Sequence, residues 1–125
     1  MLSRISLAGK LGQFSEHWSP KIIGELNGQH VKIVKFAGEF VWHKHDHEDE
    51  LFLVLSGELR MEYRDPADGE QSMVLREGEM VIVPRGVEHR PSAESETAVL
   101  LFEPAGTLNT GDAESELTVA RPERI

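Results

Sequence analysis

Two histidines two positions apart, His43 and His45, mark where this chain could do chemistry. In an extended segment successive side chains alternate between faces, so both imidazoles leave the same side and can meet one ion. Glu50 comes five residues after His45, the wrong parity for one continuous strand. The polar run Asp46-His47-Glu48-Asp49 removes the difficulty if it forms a loop or bulge, because Glu50 can then open a new strand and point back inward. Much later, His89 follows the tight Pro84-Arg85-Gly86 turn, and a barrel can fold it against the first pair. Three neutral imidazoles and one carboxylate suit Fe, Mn, Co, Ni, Cu or Zn, and they leave coordination positions free for water or substrate. A structural zinc site more often uses cysteines and closes its shell. This chain has no cysteine, which also excludes a disulfide framework and a cysteine nucleophile.

Short β-prone runs have to position these groups. Ile22 to Leu26 and Gln29 to Phe36 flank Asn27-Gly28, a strong two-residue hairpin signal. Glu39 to His45, Leu51 to Leu55, Gln71 to Leu75, Met80 to Val83 and Thr97 to Phe102 read as further strands, separated by turn residues. Between Gly57 and Asp65, Leu59, Met61 and Tyr63 alternate with Glu58, Arg60, Glu62 and Arg64, the pattern of a strand with one wet face. Ile5, Ala8 and Leu11 have roughly helical spacing, with Ser3 as cap, and predict a short N-terminal helix. Many short strands with frequent turns indicate an all-β sandwich or barrel. The expected division is a lead segment over 1–20, a barrel over 21–104 and a tail over 105–125, forming a single domain. In the tail, Leu117 to Val119 could add an edge strand, pack on a partner or fray.

The stretch from Gly38 to Gly57, GEFVWHKHDHEDELFLVLSG, resembles the first motif of the cupins: glycine, His-x-His, a glutamate shortly after, then glycine. Gly78 to His89, GEMVIVPRGVEH, resembles their second motif, with Pro-x-Gly, two residues and a histidine. The resemblance implies a double-stranded β-helix, or jelly-roll barrel, with one metal inside. Its ligands would be His43, His45, Glu50 and His89. Two departures stand out. Four residues instead of the usual five separate Gly38 from His43, which admits a rival register on His45 and His47, and Ala93 replaces a frequent asparagine. The rival leaves only two residues before Glu50 and fits the family spacing worse.

Parity places Glu39, Val41, Phe52, Val54, Val87 and Pro91 inward, a mostly apolar pocket with one carboxylate. His47 reads as a solvated loop residue or a second shell to the metal. Arg85 and Arg90 could meet an anionic substrate at the barrel mouth. Phe40 and Trp42 have the opposite parity to the histidines and should face outward with Leu51, Leu53 and Leu55. Such an apolar face predicts a homodimer. The net charge of −9 argues against nucleic acid as a partner, and no run approaches the ~20 apolar residues of a membrane span. A cytoplasmic location is expected by default. The fold does not specify a reaction. A metal-dependent dioxygenase or isomerase acting on a small, partly apolar molecule is one expectation. A non-catalytic barrel that uses the metal to hold an anionic ligand is the other.

Overall fold

The structure, a computed structural model, describes residues 2–125. One short helix, α1 (Leu7–Leu11), precedes eight strands. Its cap is Ser6, whose hydroxyl accepts from the Gly9 amide at 3.0 Å, so the helix starts later than the expected Ser3. The strands are β1 (Lys21–Leu26), β2 (Gln29–Glu39), β3 (Glu50–Ser56), β4 (Glu58–Asp65), β5 (Gly69–Arg76), β6 (Met80–Val83), β7 (His89–Pro104) and β8 (Glu123–Arg124). Asn27 and Gly28 turn between β1 and β2 with φ of 50° and 76°, the positive pair that a tight hairpin of this hand needs.

β7 organises the barrel. The strand is 16 residues long. Its first part pairs with β4, from Tyr63↔His89 to Arg60↔Ser92. Its second part lies between β2 and β3, with Val99 opposite both Val34 and Val54. The sheet runs β5-β4-β7-β2-β1-β8, while β3 leaves β7 to pair with β6, so one long strand belongs to both walls of the roll. The sequence suggests strand only over Thr97 to Phe102, because Pro91 and the Glu94–Glu96 stretch look like interruptions. Pro91 is tolerated because its carbonyl, accepting from the Phe40 amide at 3.0 Å, makes a bond that needs no proline N–H.

The core is one cluster: Trp18, Phe36, Phe40, Phe52, Val54, Leu59, Met61, Val99 and Leu101 lie together within it. On β3 the alternation is as expected, with Glu50, Phe52 and Val54 buried and Leu51, Leu53 and Leu55 half-buried. Phe40 corrects the parity argument. It is buried, stacked on Trp18 at 4.7 Å between centroids, and does not face outward. The reason is that β2 ends at Glu39, shortly after a register shift at Gly38, and residues 40–42 are not strand, so the alternation that links Phe40 to His43 is broken between them. Trp42 stays half-buried, with the guanidinium groups of Arg64 and Arg90 over its ring at 4.1 and 5.2 Å. The outer apolar face thus loses Phe40 and is capped by cations at Trp42.

The 105–125 segment docks against the body. Leu117 packs on the core. The added strand is Glu123–Arg124, parallel to β1, and not Leu117 to Val119. Among the described residues, no helix is long and apolar enough to cross a membrane.

Candidate metal centre

His43, His45, Glu50 and His89 converge, with one ligand atom from each lying within 4.8 Å of all the others. All four residues are buried. Up to 46 positions separate them in sequence, and the backbone explains how they meet. His43 and His89 face each other as an isolated antiparallel pair, each amide donating to the other's carbonyl at 3.1 and 2.9 Å. Opposed residues in such a pair project to the same face, and the two rings stand 4.3 Å apart. The turn after β6 binds the other histidine, with the Gly86 amide donating to the His45 carbonyl at 2.8 Å. Glu50 opens β3 opposite Val83, the last residue of β6.

The donor chemistry fits a cation. His43 Nδ1 lies 2.8 Å from the Val41 carbonyl and His89 Nδ1 2.9 Å from the Val87 carbonyl. A carbonyl only accepts, so Nδ1 carries the ring proton and Nε2 presents a lone pair. Among the described residues, both nitrogens of His45, Nε2 of His89 and Oε1 of Glu50 are buried with no hydrogen-bond partner. Glu50 Oε1 is 3.3 Å from His45 Nε2 and 3.5 Å from His89 Nε2. The acceptor nitrogen of His45, His89 Nε2 and Glu50 Oε1 would be costly if left bare so deeply buried, and one divalent ion would satisfy all three. Structural zinc sites more often use cysteine, so this set suits an ion with free positions.

Electrostatics sort the four groups. Burial, then the neighbouring His89, lowers the His43 pKa to about 4. Burial also works against a charged His45, yet its contact with Glu50 outweighs this and holds it above the ordinary value. Burial would raise Glu50, but contacts with Glu103, His45 and His89 overcome that and keep it well below the carboxylate range. Glu103 goes the opposite way, pushed well above that range by burial and then by the charge of Glu50.

Other expected residues lie elsewhere. Phe52 does face the site, its ring 6.1 Å from that of His89. Glu39 is exposed and 3.4 Å from Arg90, because β2 ends there and the inward parity no longer applies. His47 is exposed in the loop. Arg85 is exposed and grips Asp49: its amide donates to Oδ1 at 2.9 Å and its guanidinium reaches both oxygens at 3.3 Å. It therefore ties the Asp46–Asp49 loop to the β6 turn and does not reach into a pocket. Arg90 is occupied by Glu62 at 3.1 and 3.2 Å.

Two features were not read from the sequence. The first is a buried pair behind Glu50, Lys32 and Glu103, joined at 2.8 Å. Lysine at an inward position of a β-alternating run is the available signal. The second is a clamp from the tail. Lys44, between two of the candidate ligands, donates its amide to Asp112 Oδ1 at 2.9 Å, while the Asp112 amide donates to the Lys44 carbonyl at 3.1 Å. Gly111 sits with φ +54° against that carbonyl and His43 Cδ2, where a side chain has no room. Asn109 lines the cavity beside the ligands, along with Trp18, Phe36, Phe40 and Phe52, and its amide is bonded to Leu117 and Val119. That cavity measures about 20 Å³, room for roughly one water.

Residues 30–103 match the family model for the cupin domain, and the chain belongs to that family. A cupin-2 domain protein from Shewanella frigidimarina superposes with a TM-score of 0.75 at 43% identity, covering 80% of this chain and 93% of that one. Protein YdbB of Bacillus subtilis, named as uncharacterized, is 36% identical over 81 residues, 65% of this chain and 68% of its own. The hydroquinone 1,2-dioxygenase PnpCD, in complex with Fe3+, has the same fold at a TM-score of 0.73 and 20% identity, with 83% of this chain and 33% of that one covered.

Proposed function

We propose that this cupin holds one divalent transition metal on His43, His45, Glu50 and His89 and acts with it on a small, partly apolar organic molecule, in dioxygenase- or isomerase-type chemistry. The carrying observation is four buried ligand groups within 4.8 Å of one another, with atoms of His45, Glu50 and His89 otherwise unpartnered. When bound, the metal would supply a Lewis acid or an activator of dioxygen. The chain's own residues do the rest. Val41 and Val87 fix the ring orientation of His43 and His89, and Glu50 contributes the negative charge. Trp18, Phe36, Phe40 and Phe52 keep bulk water from the reacting position and give it an apolar wall. The PnpCD fold likeness shows that this barrel accommodates dioxygenase chemistry in another protein, at an identity too low to transfer a substrate.

A second reading, ligand binding without turnover, draws on the size of the adjoining cavity. At about 20 Å³ it admits a water or a diatomic molecule and no aromatic ring while the tail is docked. One experiment separates the readings: prepare the metal-free protein, refill it with Fe, Mn, Ni or Zn, and measure both turnover and ligand affinity. Sharp differences in turnover between metals support the enzyme. Equal ligand affinity across metals with no turnover supports the binder. Wild type that takes up no divalent metal at neutral pH overturns both.

A further inference from the structure

The Lys32–Glu103 pair is not an ordinary surface ion pair. Lys32 on β2 is 2% exposed, Glu103 on β7 is 1% exposed, and Glu50 on β3 is 3% exposed. Lys32 Nζ donates to Glu103 Oε1 at 2.8 Å and reaches the Thr107 carbonyl at 3.5 Å. Glu103 Oε2 is left buried with no hydrogen-bond partner among the described residues. Glu103 stands opposite Glu50, one step beyond the Leu51↔Phe102 pair of β3 and β7, so the two carboxyl side chains share a face. A buried Lys–Glu pair is a poor means of stabilising a barrel, since apolar residues of similar volume often serve as well or better. Its placement suggests another role.

We propose that Glu103 is the positioning residue for Glu50, with Lys32 holding Glu103 in place from behind. The three side chains form a line from three strands, Lys32 to Glu103 to Glu50, ending at the histidines. Glu103 packs against the Glu50 carboxyl and restricts its rotation, so that Oε1 stays turned toward His45 and His89. Lys32 prevents Glu103 from swinging away. The segment after β7 joins the same support through the Thr107 carbonyl. This inference rests on the metal reading above.

The test is binding of Co2+, followed by calorimetric titration and by the visible absorption band, which reports the coordination geometry. Glu103→Gln keeps the shape and can still hydrogen-bond to both neighbours, so it should bind within about threefold of wild type with the same band. Glu103→Leu should lose about 10- to 100-fold in affinity, the usual cost of removing a group that orients a metal ligand, and its band should change shape. Because Glu103→Leu leaves Lys32 buried and unpaired, the double variant Lys32→Met with Glu103→Leu serves as the folded control. It should melt cooperatively near wild type and still bind weakly. Wild-type affinity and band in that folded double variant would overturn the proposal. Equal losses in Glu103→Gln and Glu103→Leu would also overturn it, since Gln keeps the shape and hydrogen-bonding ends that positioning requires. Wild type without Co2+ binding is a separate result that removes the metal reading itself.

Discussion

Two cavities of this barrel differ in almost every respect. The one beside the candidate ligands measures about 20 Å³, has aromatic walls and is bordered by the docked tail at Asn109. The other, between β4, β5 and β6, measures about 270 Å³ and is lined by Met61, Tyr63, Met73, Val81, Ile82 and Val87 among others. Its rim is loose: Met73 and Ile82 are exposed, and among the described residues β5 pairs only with β4 and β6 only with β3. The small cavity has its neighbouring polar groups fixed from several sides, while the large one has exposed apolar side chains and unpaired strand edges. Between these two, volume would nominate the large cavity as the site. The buried acceptors without a partner lie beside the small one.

The strongest way to break this contrast is to remove a ligand. His89→Ala should lower divalent-metal affinity by more than about 100-fold, whereas His47→Ala, in the exposed loop, should leave it unchanged. Titration of purified variants with Zn2+ or Co2+ checks this. If His47→Ala lost the metal and His43→Ala kept it, the rival register would be correct and the small cavity would lose its claim.

Acid gives the next effect. His43 is held at about 4 in the folded metal-free protein, against 6.5 when unfolded. Between pH 6.5 and 4 the unfolded chain takes up a proton that folded His43 refuses, so stability falls as pH falls through that window. The loss is at most about 3 kcal/mol. His45, raised by Glu50, has the opposite sign: its stabilisation is fully present below 6.5 and fades as pH rises through its folded pKa, so it acts above the His43 window and leaves that acid loss uncompensated. Denaturant melts at pH 6.5 and 4.5, for wild type and His43→Phe, should show the acid loss reduced in the variant. With metal bound, protons compete for the same lone pairs and affinity falls over the histidine range.

Gly111→Ala tests the clamp. The new methyl has no room against the Lys44 carbonyl and φ is positive, so stability should drop by about 1–3 kcal/mol, with a measurable fall in metal affinity because Lys44 sits between His43 and His45. The smallest effect belongs to the large cavity. Ile82→Lys at its exposed rim should change stability by no more than ~0.5 kcal/mol and leave metal binding alone. A severe loss there would show that this rim is covered in solution and would sharpen the case for a subunit interface.

Particular residues explain what the sequence made legible. Alternation in β3 placed Glu50, Phe52 and Val54 inward correctly because that strand is regular and paired on both edges. The hairpin at Asn27-Gly28 was readable because only a few residues accept its dihedrals. Phe40 and Glu39 were misplaced because β2 ends at Glu39 and residues 40–42 are not strand, so alternation counted back from His43 does not carry across them. Lys32 and Glu103 were missed for a different reason. An inward lysine marks Lys32 in the alternation, but its partnership with Glu103 spans 71 positions and is a tertiary fact. The tail's role stayed hidden likewise, because its bonds to Lys44 join backbone to a single aspartate.

The clamp on Lys44 has a consequence for time as well as affinity. A cation at the proposed centre would sit beside Asn109 and Gly111, so lifting of that segment would widen its way out. Tight binding and fast exchange would then be set by different parts of the chain, the first by the histidines and the second by residues 105–119. A chelator added to the loaded protein should extract the metal at a rate that ignores chelator concentration, and Asp112→Ala, which cuts one strand of the clamp, should raise that rate while barely moving the equilibrium. In that sense the segment is a clock attached to the centre, determining how long a captured ion stays.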